Sequence, residues 1–144
     1  MATAEHLIFI KDTEVASLPP NASVLDAAKL MNERHIGSVL VIENEKVVGI
    51  FTERDVMRRI VAMQLNPATT QLADVMTSPV ACGAPHTSLN ELRNVMRKRK
   101  IRHVPIVDRA QKALGMISIG DLNQAEHDVQ EQTIQYLEQY MSVS

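Results

Sequence analysis

The 144-residue sequence predicts an α/β protein made of two similar repeats and a long C-terminal helix. The first observation is duplication, because three blocks of the first half reappear in the same order in the second half. The matched blocks are 23–31 with 88–96, 35–42 with 100–107, and 49–57 with 115–123. The second observation is that each copy alternates helical and strand patterns, and the third is a helical tail. Since one repeat of this size would leave an apolar face uncovered, we expect the two copies to pack face to face.

Each copy predicts the order helix, strand, strand, helix. In the first copy, apolar residues recur at helical spacing over 23–34, with Ser23 placed as the N-cap. Two runs rich in β-branched residues, 39–42 and 47–51, flank a short polar turn and predict a hairpin. The next helix begins at Thr52.

The second copy repeats this order. Ser88 is the expected N-cap, strands are expected over 104–107 and 114–117, and a helix follows from Ser118. An opening strand over 8–18 is expected to precede the first copy. The expected boundaries are 1–65 for the first repeat with its N-terminal strand, 66–73 for a linker, 74–123 for the second repeat, and 124–144 for a helical extension.

The tail is acidic and amphipathic. Residues 121–144 hold five acidic residues and no Lys or Arg. Apolar or weakly polar residues return every three or four positions, which predicts one long helix with a narrow apolar stripe. The stripe comprises Leu122, Ala125, Val129, Thr133, Tyr136 or Leu137, and Tyr140. Two interpretations remain open, a helix that folds back on its own chain and one that associates with another chain.

Composition excludes several classes of protein. The 15 basic and 17 acidic residues give a net charge of −2, which argues against a nucleic-acid-coating protein because phosphate contacts need an excess of cations. The single cysteine, Cys82, cannot form an intramolecular disulfide. No apolar run is long enough to cross a membrane, and the first residues do not resemble a secretory signal. We expect a cytoplasmic protein that is not an enzyme. We also expect no metal site, since no metal-ligand spacing occurs among its His and Cys residues.

Each copy ends in the pattern Gly-hydrophobic-hydrophobic-Ser/Thr-x-x-Asp, at 49–55 and 115–121. Thr52 and Ser118 stand where a strand turns into a helix, so each can form a purely structural capping box with the Asp three positions later. Alternatively, that carboxylate is kept ionised by the helix dipole, and the opening Gly leaves space beside it. An ionised carboxylate is a good acceptor for the vicinal hydroxyls of a ribose. Two symmetric copies therefore suggest two ribose sites.

A run of basic residues in the second copy offers a place for phosphate. The residues nearest the end of the predicted helix are expected to offset the helix dipole and to face solvent. Arg102 and His103 stand instead at the start of a strand, where a basic group can bind phosphate through charge-assisted hydrogen bonds. The matching residues of the first copy, Gly37 and Ser38, are uncharged, so the two sites should differ in phosphate affinity. The run consists of Arg93, Arg97, Lys98, Arg99, Lys100, Arg102 and His103.

These blocks resemble the cystathionine-β-synthase (CBS) domain, present as a tandem pair over about residues 10–123. The matching segments are SVLDAAKLMNERHIGSVLVI with GIFTERDVMRRI, then DVMTSP, then SLNELRNVMRKRKIRHVPIVD with GMISIGDL. The resemblance is to stand-alone CBS-domain proteins. It implies two βαββα repeats packed as a pseudo-twofold CBS pair, also called a Bateman module, with two sites for adenosine-containing ligands. It also implies a flat dimer of two chains.

The same resemblance assigns residues to the two sites. In the family, the Ser/Thr-x-x-Asp residues contact ribose, and the opening segment and the strand start of the opposite copy hold adenine. The positions of Arg102 and His103 often meet the phosphate. Ribose contacts fall on Thr52 and Asp55 and on Ser118 and Asp121; the adenine contacts are Ala16, Leu18, Ile36 and Gly37 for the Asp121 site, and Ala81, Ala84 and Ile101 for the Asp55 site.

The expected function is that of an adenine-nucleotide sensor. AMP or a related adenylate (ADP, ATP or NAD(H)) would act as a regulatory ligand, and no obligatory cofactor is expected. The expected partners are a second copy of the chain and an unidentified regulated protein. The alternative is a dimeric adaptor that binds no ligand and uses its tail helix and basic run.

Overall fold

The computed structural model describes residues 2–12 and 14–143, apart from the side chains of Tyr140, Ser142 and Val143. Tyr140, a predicted member of the tail stripe, thus lies outside the described side chains. Residues Val56–Val61 form a π-helical segment. The elements are α1 Ala4–Lys11, β1 Ser17–Leu18, α2 Val24–Arg34, β2 Ser38–Glu43, β3 Lys46–Thr52, α3 Glu53–Asp55, α4 Leu72–Val75, α5 Leu89–Arg99, β4 His103–Val107, β5 Ala113–Ser118 and α6 Ile119–Val143.

The first lobe forms as its sequence pattern predicts. Ser23 caps α2 in a capping box with Asp26, and His35 ends the helix in the left-handed conformation. Asn44 and Glu45 both have positive φ angles, the geometry of a two-residue hairpin turn, and they join β2 to β3. Strand β1 pairs parallel to β2 and completes a three-stranded sheet. The predicted helix–strand–strand–helix order is confirmed here.

The second lobe repeats the first. Ser88 caps α5, and Lys100 ends it in the left-handed conformation. Strands β4 and β5 form an antiparallel pair. A single parallel bridge between Gly83 and Ile106 takes the place of the β1–β2 pairing, in which Ser17 lies opposite Leu40. The chain is therefore an α/β protein of two related lobes, as predicted.

The short helix that precedes each repeat packs in the core of the opposite lobe. In α4, Leu72 and Val75 join the first core, which otherwise comes from residues 16–60. In α1, Ala4 is fully buried in the second core, whose other buried members lie between Leu92 and Leu122. The chain therefore crosses between the lobes twice, once after α1 and once after α4.

The prediction of a strand over 8–18 is wrong for its first part. Residues Ala4–Lys11 form α1, and only Ser17–Leu18 is a strand. The run Leu7 to Ile10 is apolar throughout, so it carries neither a helical nor a strand period. The buried face of α1 is the one that packs against the second lobe. Leu7 and Ile8 lie on this face, while Phe9 is 82% exposed. A second helix that the sequence patterns did not predict, α4, begins inside the span assigned to the linker.

The C-terminal helix α6 is confirmed, and its distal part lies away from the rest of the chain. Leu122 is buried in the second core, but every described side chain from 126 to 139 is exposed. The exposed side chains include Val129, Ile134 and Leu137. The stripe therefore packs on its own chain at Leu122, whereas its described residues from Val129 to Leu137 do not fold back on the chain. No helix among residues 2–12 and 14–143 has the length and apolar character needed to cross a bilayer.

Candidate ligand-binding site

Two clefts lie between the lobes, each opening beside one of the predicted carboxylates. The first, here called the Asp121 cleft, has a volume of about 570 Å³. Ser118 and Asp121 of the second lobe form one wall, and the start of β2 in the first lobe forms the opposite wall. The crossing segment after α1 contributes the rest. The lining residues are Lys11, Glu14, Val15, Ala16, Arg34, His35, Ile36, Gly37, Ser38, His103, Met116, Ser118 and Asp121.

The second cleft, here called the Asp55 cleft, is its counterpart with the lobes exchanged and has a volume of about 490 Å³. Thr52 and Asp55 come from the first lobe and face the start of β4. The crossing segment after α4 contributes Thr77 and its neighbours. The lining residues are Ile50, Thr52, Glu53, Arg54, Asp55, Arg58, Thr77, Pro79, Val80, Ala81, Arg99, Lys100, Ile101, Arg102 and His103.

Both carboxylates take part in capping boxes. The Thr52 amide donates to Asp55 Oδ2 at 2.9 Å, and the Asp55 amide donates to Thr52 Oγ1 at 3.2 Å. In the other lobe, the Ser118 amide donates to Asp121 Oδ2 at 2.8 Å, and the Asp121 amide donates to Ser118 Oγ at 3.1 Å. The structural interpretation of these residues is therefore correct. In each capping box only Oδ2 of the Asp carboxylate accepts a hydrogen bond, so Oδ1 lies outside the box. Asp55 and Asp121 each line a cleft.

A basic side chain holds each carboxylate in place. Lys11 Nζ lies 2.8 Å from Asp121 Oδ2 and also donates to the Met116 carbonyl at 2.9 Å. Arg59 Nε lies 3.6 Å from Asp55 Oδ1 and is the weaker contact. Burial by itself would raise the pKa of Asp121, but hydrogen bonds from Lys11 and the Ser118 amide outweigh it and hold that pKa below its usual value. Asp121 therefore stays ionised in the folded protein.

His103 lies between the clefts and lines both of them. A Cβ atom added at Gly37 would stand 3.3 Å from the His103 ring and 3.2 Å from a carboxylate oxygen of Glu53. Burial lowers the pKa of His103, and this effect exceeds the opposing attraction of the Glu53 carboxylate. A neutral imidazole therefore sits where the two clefts approach each other, with space made for it by the absence of a side chain at Gly37.

The structure brings most of the predicted residues together. Leu18 does not line either cleft and packs against the first core instead. Ala84 lies in a turn, where its amide donates to Thr87 Oγ1 at 2.9 Å, and it also lines neither cleft. The remaining predicted residues line at least one cleft: Ala16, Ile36, Gly37, Ser38, Ser118 and Asp121 in the first, Thr52, Asp55, Ala81, Ile101 and Arg102 in the second, and His103 in both.

Other residues at the site were not predicted. No local pattern indicates that Lys11, at the end of α1, reaches Asp121, more than a hundred residues later. Arg54 and Arg58 were not singled out, although their spacing of four residues on the helix after Thr52 places them on one face. That spacing is the sequence pattern that could have indicated these two residues of the Asp55 cleft.

The space expected beside each carboxylate is occupied. A Cβ atom added at Gly49 would collide with the Met76 side chain, and one added at Gly115 would stand 2.8 Å from two carbon atoms of Ile8. These glycines make room for the helix of the opposite repeat and not for a ligand. Among the residues that the structure describes, no cluster of three or more His, Cys, Asp or Glu side chains could hold a metal ion.

Known proteins resemble this chain in sequence and in overall fold. The sequence model of the CBS domain matches residues 9–62 and again 72–128, which together make up most of the chain. The chain belongs to the CBS domain family. CBS domain-containing protein YhcV of Bacillus subtilis is 34% identical over 116 residues, which cover 78% of this chain and 81% of that protein.

Solved structures agree with the CBS assignment. A protein with CBS domains from Burkholderia ambifaria is 32% identical with a TM-score of 0.80, and the match covers 86% of this chain and 93% of that chain. The CBS domain pair of protein MJ0100, solved in complex with 5′-methylthioadenosine and S-adenosyl-L-methionine, has a TM-score of 0.79 over 89% of this chain and 98% of that chain. At 19% identity it shows a common fold.

Proposed function

We propose that this CBS pair is a cytoplasmic regulatory module that binds adenine nucleotides in its two clefts. The ligand is AMP or a related adenylate (ADP, ATP or NAD(H)), and it acts as a signal and not as a catalytic cofactor. Its binding is transmitted to a homodimer of the chain or to a regulated partner protein. Ser/Thr-x-x-Asp holds the ribose in each cleft, and residues from the opposite lobe hold the base.

One observation carries this proposal: both capped carboxylates line clefts, and each cleft faces the strand start of the other lobe. A capping box needs only one carboxylate oxygen. At Asp121, Oδ2 accepts from both Ser118 and Lys11, so Oδ1 remains as the acceptor for a ribose hydroxyl. An ionised carboxylate makes hydrogen bonds about twice as strong as a neutral acceptor does.

The position of the clefts gives a physical route for a signal. A nucleotide in either cleft touches both lobes, so its binding free energy depends on how the lobes are packed. Ligand binding therefore favours the lobe arrangement that fits it best, and a partner surface that senses this arrangement senses the ligand. The exposed stripe of α6 is continuous with the second lobe and is the surface that we assign to the second copy of the chain.

Asparagine substitutions test the ribose assignment. Asp55→Asn and Asp121→Asn each keep an oxygen for the capping box but remove the charge that a ribose hydroxyl would meet. Since hydrogen bonds to charged groups are worth more than neutral ones, we expect each variant to weaken AMP binding at one site by about tenfold or more. Isothermal titration of the wild type should show two sites, and each variant should retain one.

Asp26→Asn is the matched control, because Asp26 forms the same capping box with Ser23 on α2 and lines neither cleft. The control should bind AMP as the wild type does. Unchanged binding by both cleft variants would refute the ribose assignment. If no adenylate raised the melting temperature of the wild type, the ligand-free adaptor would be the better description, because a ligand that binds only the folded state must stabilise it.

A further inference from the structure

A groove outside the two clefts carries an unusual concentration of positive charge. It has a volume of about 470 Å³ and lies where the end of α5 meets the start of α6. No acidic residue lines it. Arg54, Lys100, Ile101 and Arg102 line both this groove and the Asp55 cleft, so the two are continuous. The basic groove, as it is called below, has five cationic lining residues: Arg54, Arg93, Arg97, Lys100 and Arg102.

The first repeat contains a corresponding groove without lysine or arginine. This counterpart has a volume of about 480 Å³, and seven of its eight lining residues lie 65 or 66 positions before a lining residue of the basic groove, with Glu53 in the place of Ile119. The apolar floor is kept, with Met31 in the place of Met96 and Ile36 in the place of Ile101. Four cationic positions of the basic groove correspond to residues other than lysine and arginine: Ala28 for Arg93, Asn32 for Arg97, His35 for Lys100 and Gly37 for Arg102.

Helix termination does not account for these cations. Helices α2 and α5 each have 11 residues and each end in a left-handed residue, His35 and Lys100 respectively. The last turn of α2 has one basic residue, Arg34, whereas the last turn of α5 has three. Because one cation suffices to offset the dipole of the matching helix, the remaining charge of α5 has another role.

Most of these side chains have no anionic partner among the residues that the structure describes. Arg93 pairs with Glu126 at 3.2 Å, and Arg97 donates to the side chain of Asn94. Within the described part of the chain, six cations along the cleft and the groove form no salt bridge. They are Arg54, Arg58, Arg97, Arg99, Lys100 and Arg102. Mutual repulsion of these charges is relieved when an anion lies among them.

The two clefts also differ in charge. The Asp55 cleft has five cationic side chains against two carboxylates, Glu53 and Asp55. The Asp121 cleft has two cationic side chains, Lys11 and Arg34, against two carboxylates, and Lys11 is already paired with Asp121. A ligand with several negative charges is therefore favoured in the Asp55 cleft.

We propose that the basic groove binds the phosphate chain of a nucleoside di- or triphosphate whose nucleoside lies in the Asp55 cleft. This inference rests on the proposed function and deepens it by giving the clefts different ligands. The Asp55 cleft selects polyphosphate nucleotides, and the Asp121 cleft selects a ligand of lower charge. The phosphates beyond the first leave the cleft past Arg102 and Lys100 and meet Arg93 and Arg97.

The test replaces two groove residues by their counterparts in the first repeat. Arg93→Ala with Arg97→Asn, at two residues that line the groove but not the Asp55 cleft, is introduced into an Asp121→Asn background, so that the Asp55 cleft dominates the titration. Before the groove change, ATP should bind this background about tenfold or more tightly than AMP, because added phosphates gain charge-assisted hydrogen bonds. The groove change should remove most of this preference while adenosine and AMP bind nearly as before.

The matched control, Arg109→Ala with Lys98→Asn, removes the same charge outside the groove and should keep the ATP preference. Equal affinities for AMP and ATP before the groove change, or an unaltered ATP preference after it, would overturn the proposal while leaving adenylate binding intact. Failure of the wild type to bind adenosine or any adenylate would instead refute the proposed function. A groove variant that binds ATP normally but changes oligomeric state would assign the groove to a protein contact and overturn the proposal.

Discussion

At the level of single residues, the two cleft carboxylates are held by cations of different origin. Asp55 has Arg59, four residues later on the same helix, and that contact is long at 3.6 Å. Asp121 has Lys11, which comes from the helix before the opposite repeat and approaches to 2.8 Å. Lys11 therefore links one end of the chain to the other at a predicted binding residue.

Replacing Lys11 by methionine should reduce stability in a pH-dependent way. The pKa of Asp121 is lower in the folded chain than in the unfolded chain, so its ion pair stabilises the fold above pH of about 4 and loses that effect as the pH falls through the folded-state pKa. We expect Lys11→Met to lower the unfolding free energy at pH 7 by about 1 kcal/mol or less. Urea denaturation from pH 7 to pH 3 should show this difference shrinking at the acid end.

Lys112→Met is a suitable control, because Lys112 is an exposed residue of the β4–β5 loop. It should show no such trend. A Lys11→Met effect of constant size down to pH 3 would contradict the ion-pair account.

Residue-level prediction succeeded where the chemistry is local. Asp55 and Asp121 follow a strand end at fixed spacing, so both the capping box and its place at the lobe boundary could be predicted from the sequence. Lys11 could not, because its partner is set by a crossing of the chain that no short pattern encodes. Leu18 and Ala84 failed for a similar reason, since whether a residue faces a core or a cleft depends on the path of the crossing segment.

At the level of secondary structure elements, the main feature is the exchange of α1 and α4 between the lobes. Each helix packs against a glycine of the last strand of the opposite repeat. Ile8 of α1 lies over Gly115 of β5, and Met76, just after α4, lies over Gly49 of β3. These contacts explain why both repeats place a glycine at the same strand position.

Alanine at these glycines should destabilise the protein to different extents. Gly115→Ala would meet three carbon atoms of Ile8, whose branched side chain has few alternative rotamers. Gly49→Ala would meet Met76, whose flexible side chain adapts more readily. We expect about 1–3 kcal/mol for Gly115→Ala, the range of overpacked cores, and less for Gly49→Ala. Chemical denaturation measures both.

Ile8→Ala should recover part of the loss when it is combined with Gly115→Ala, because it removes the atoms that the new methyl group meets. If the double variant were no better than the sum of the two single changes, the proposed contact between α1 and β5 would not be the cause.

Some of the helices could be predicted from the sequence and others could not, for physical reasons. Helices α2 and α5 were predictable, because capping serines and apolar residues at helical spacing agree with each other. The uniform apolar run in α1 has neither a helical nor a strand period. Packing against the second lobe therefore decides that this run forms a helix. Helix α4 has four residues and gives too short a pattern to detect.

At the level of the whole molecule, the duplicated order of blocks was enough to predict two related lobes and a boundary site between them. The acidic tail helix was also predictable from its period. Its surroundings were not, because an apolar stripe of this kind is compatible with several partners. The exposure of Ile134 and Leu137 leaves a second chain as the partner that we propose.

Leu137→Asp tests the proposed homodimer. Leu137 is 49% exposed on the α6 stripe, and a carboxylate there would have to be buried if two chains pack on this face. We expect the wild type to be a dimer and Leu137→Asp to be a monomer by light scattering after size-exclusion chromatography. Gln135→Asp adds the same charge on the opposite face of α6 and should remain a dimer. Dissociation of both variants alike, or of neither, would argue against this interface.

The exchange of opening helices sets a condition on any shorter protein with this topology. A chain of half the length would carry a helix that fits no surface of its own. It could complete its core only by giving that helix to another half-length molecule and receiving one in return, which is domain swapping between two chains. Joining two such chains end to end would keep every contact and make the swap internal, so a dimeric single-repeat ancestor would give this fold by fusion without any repacking.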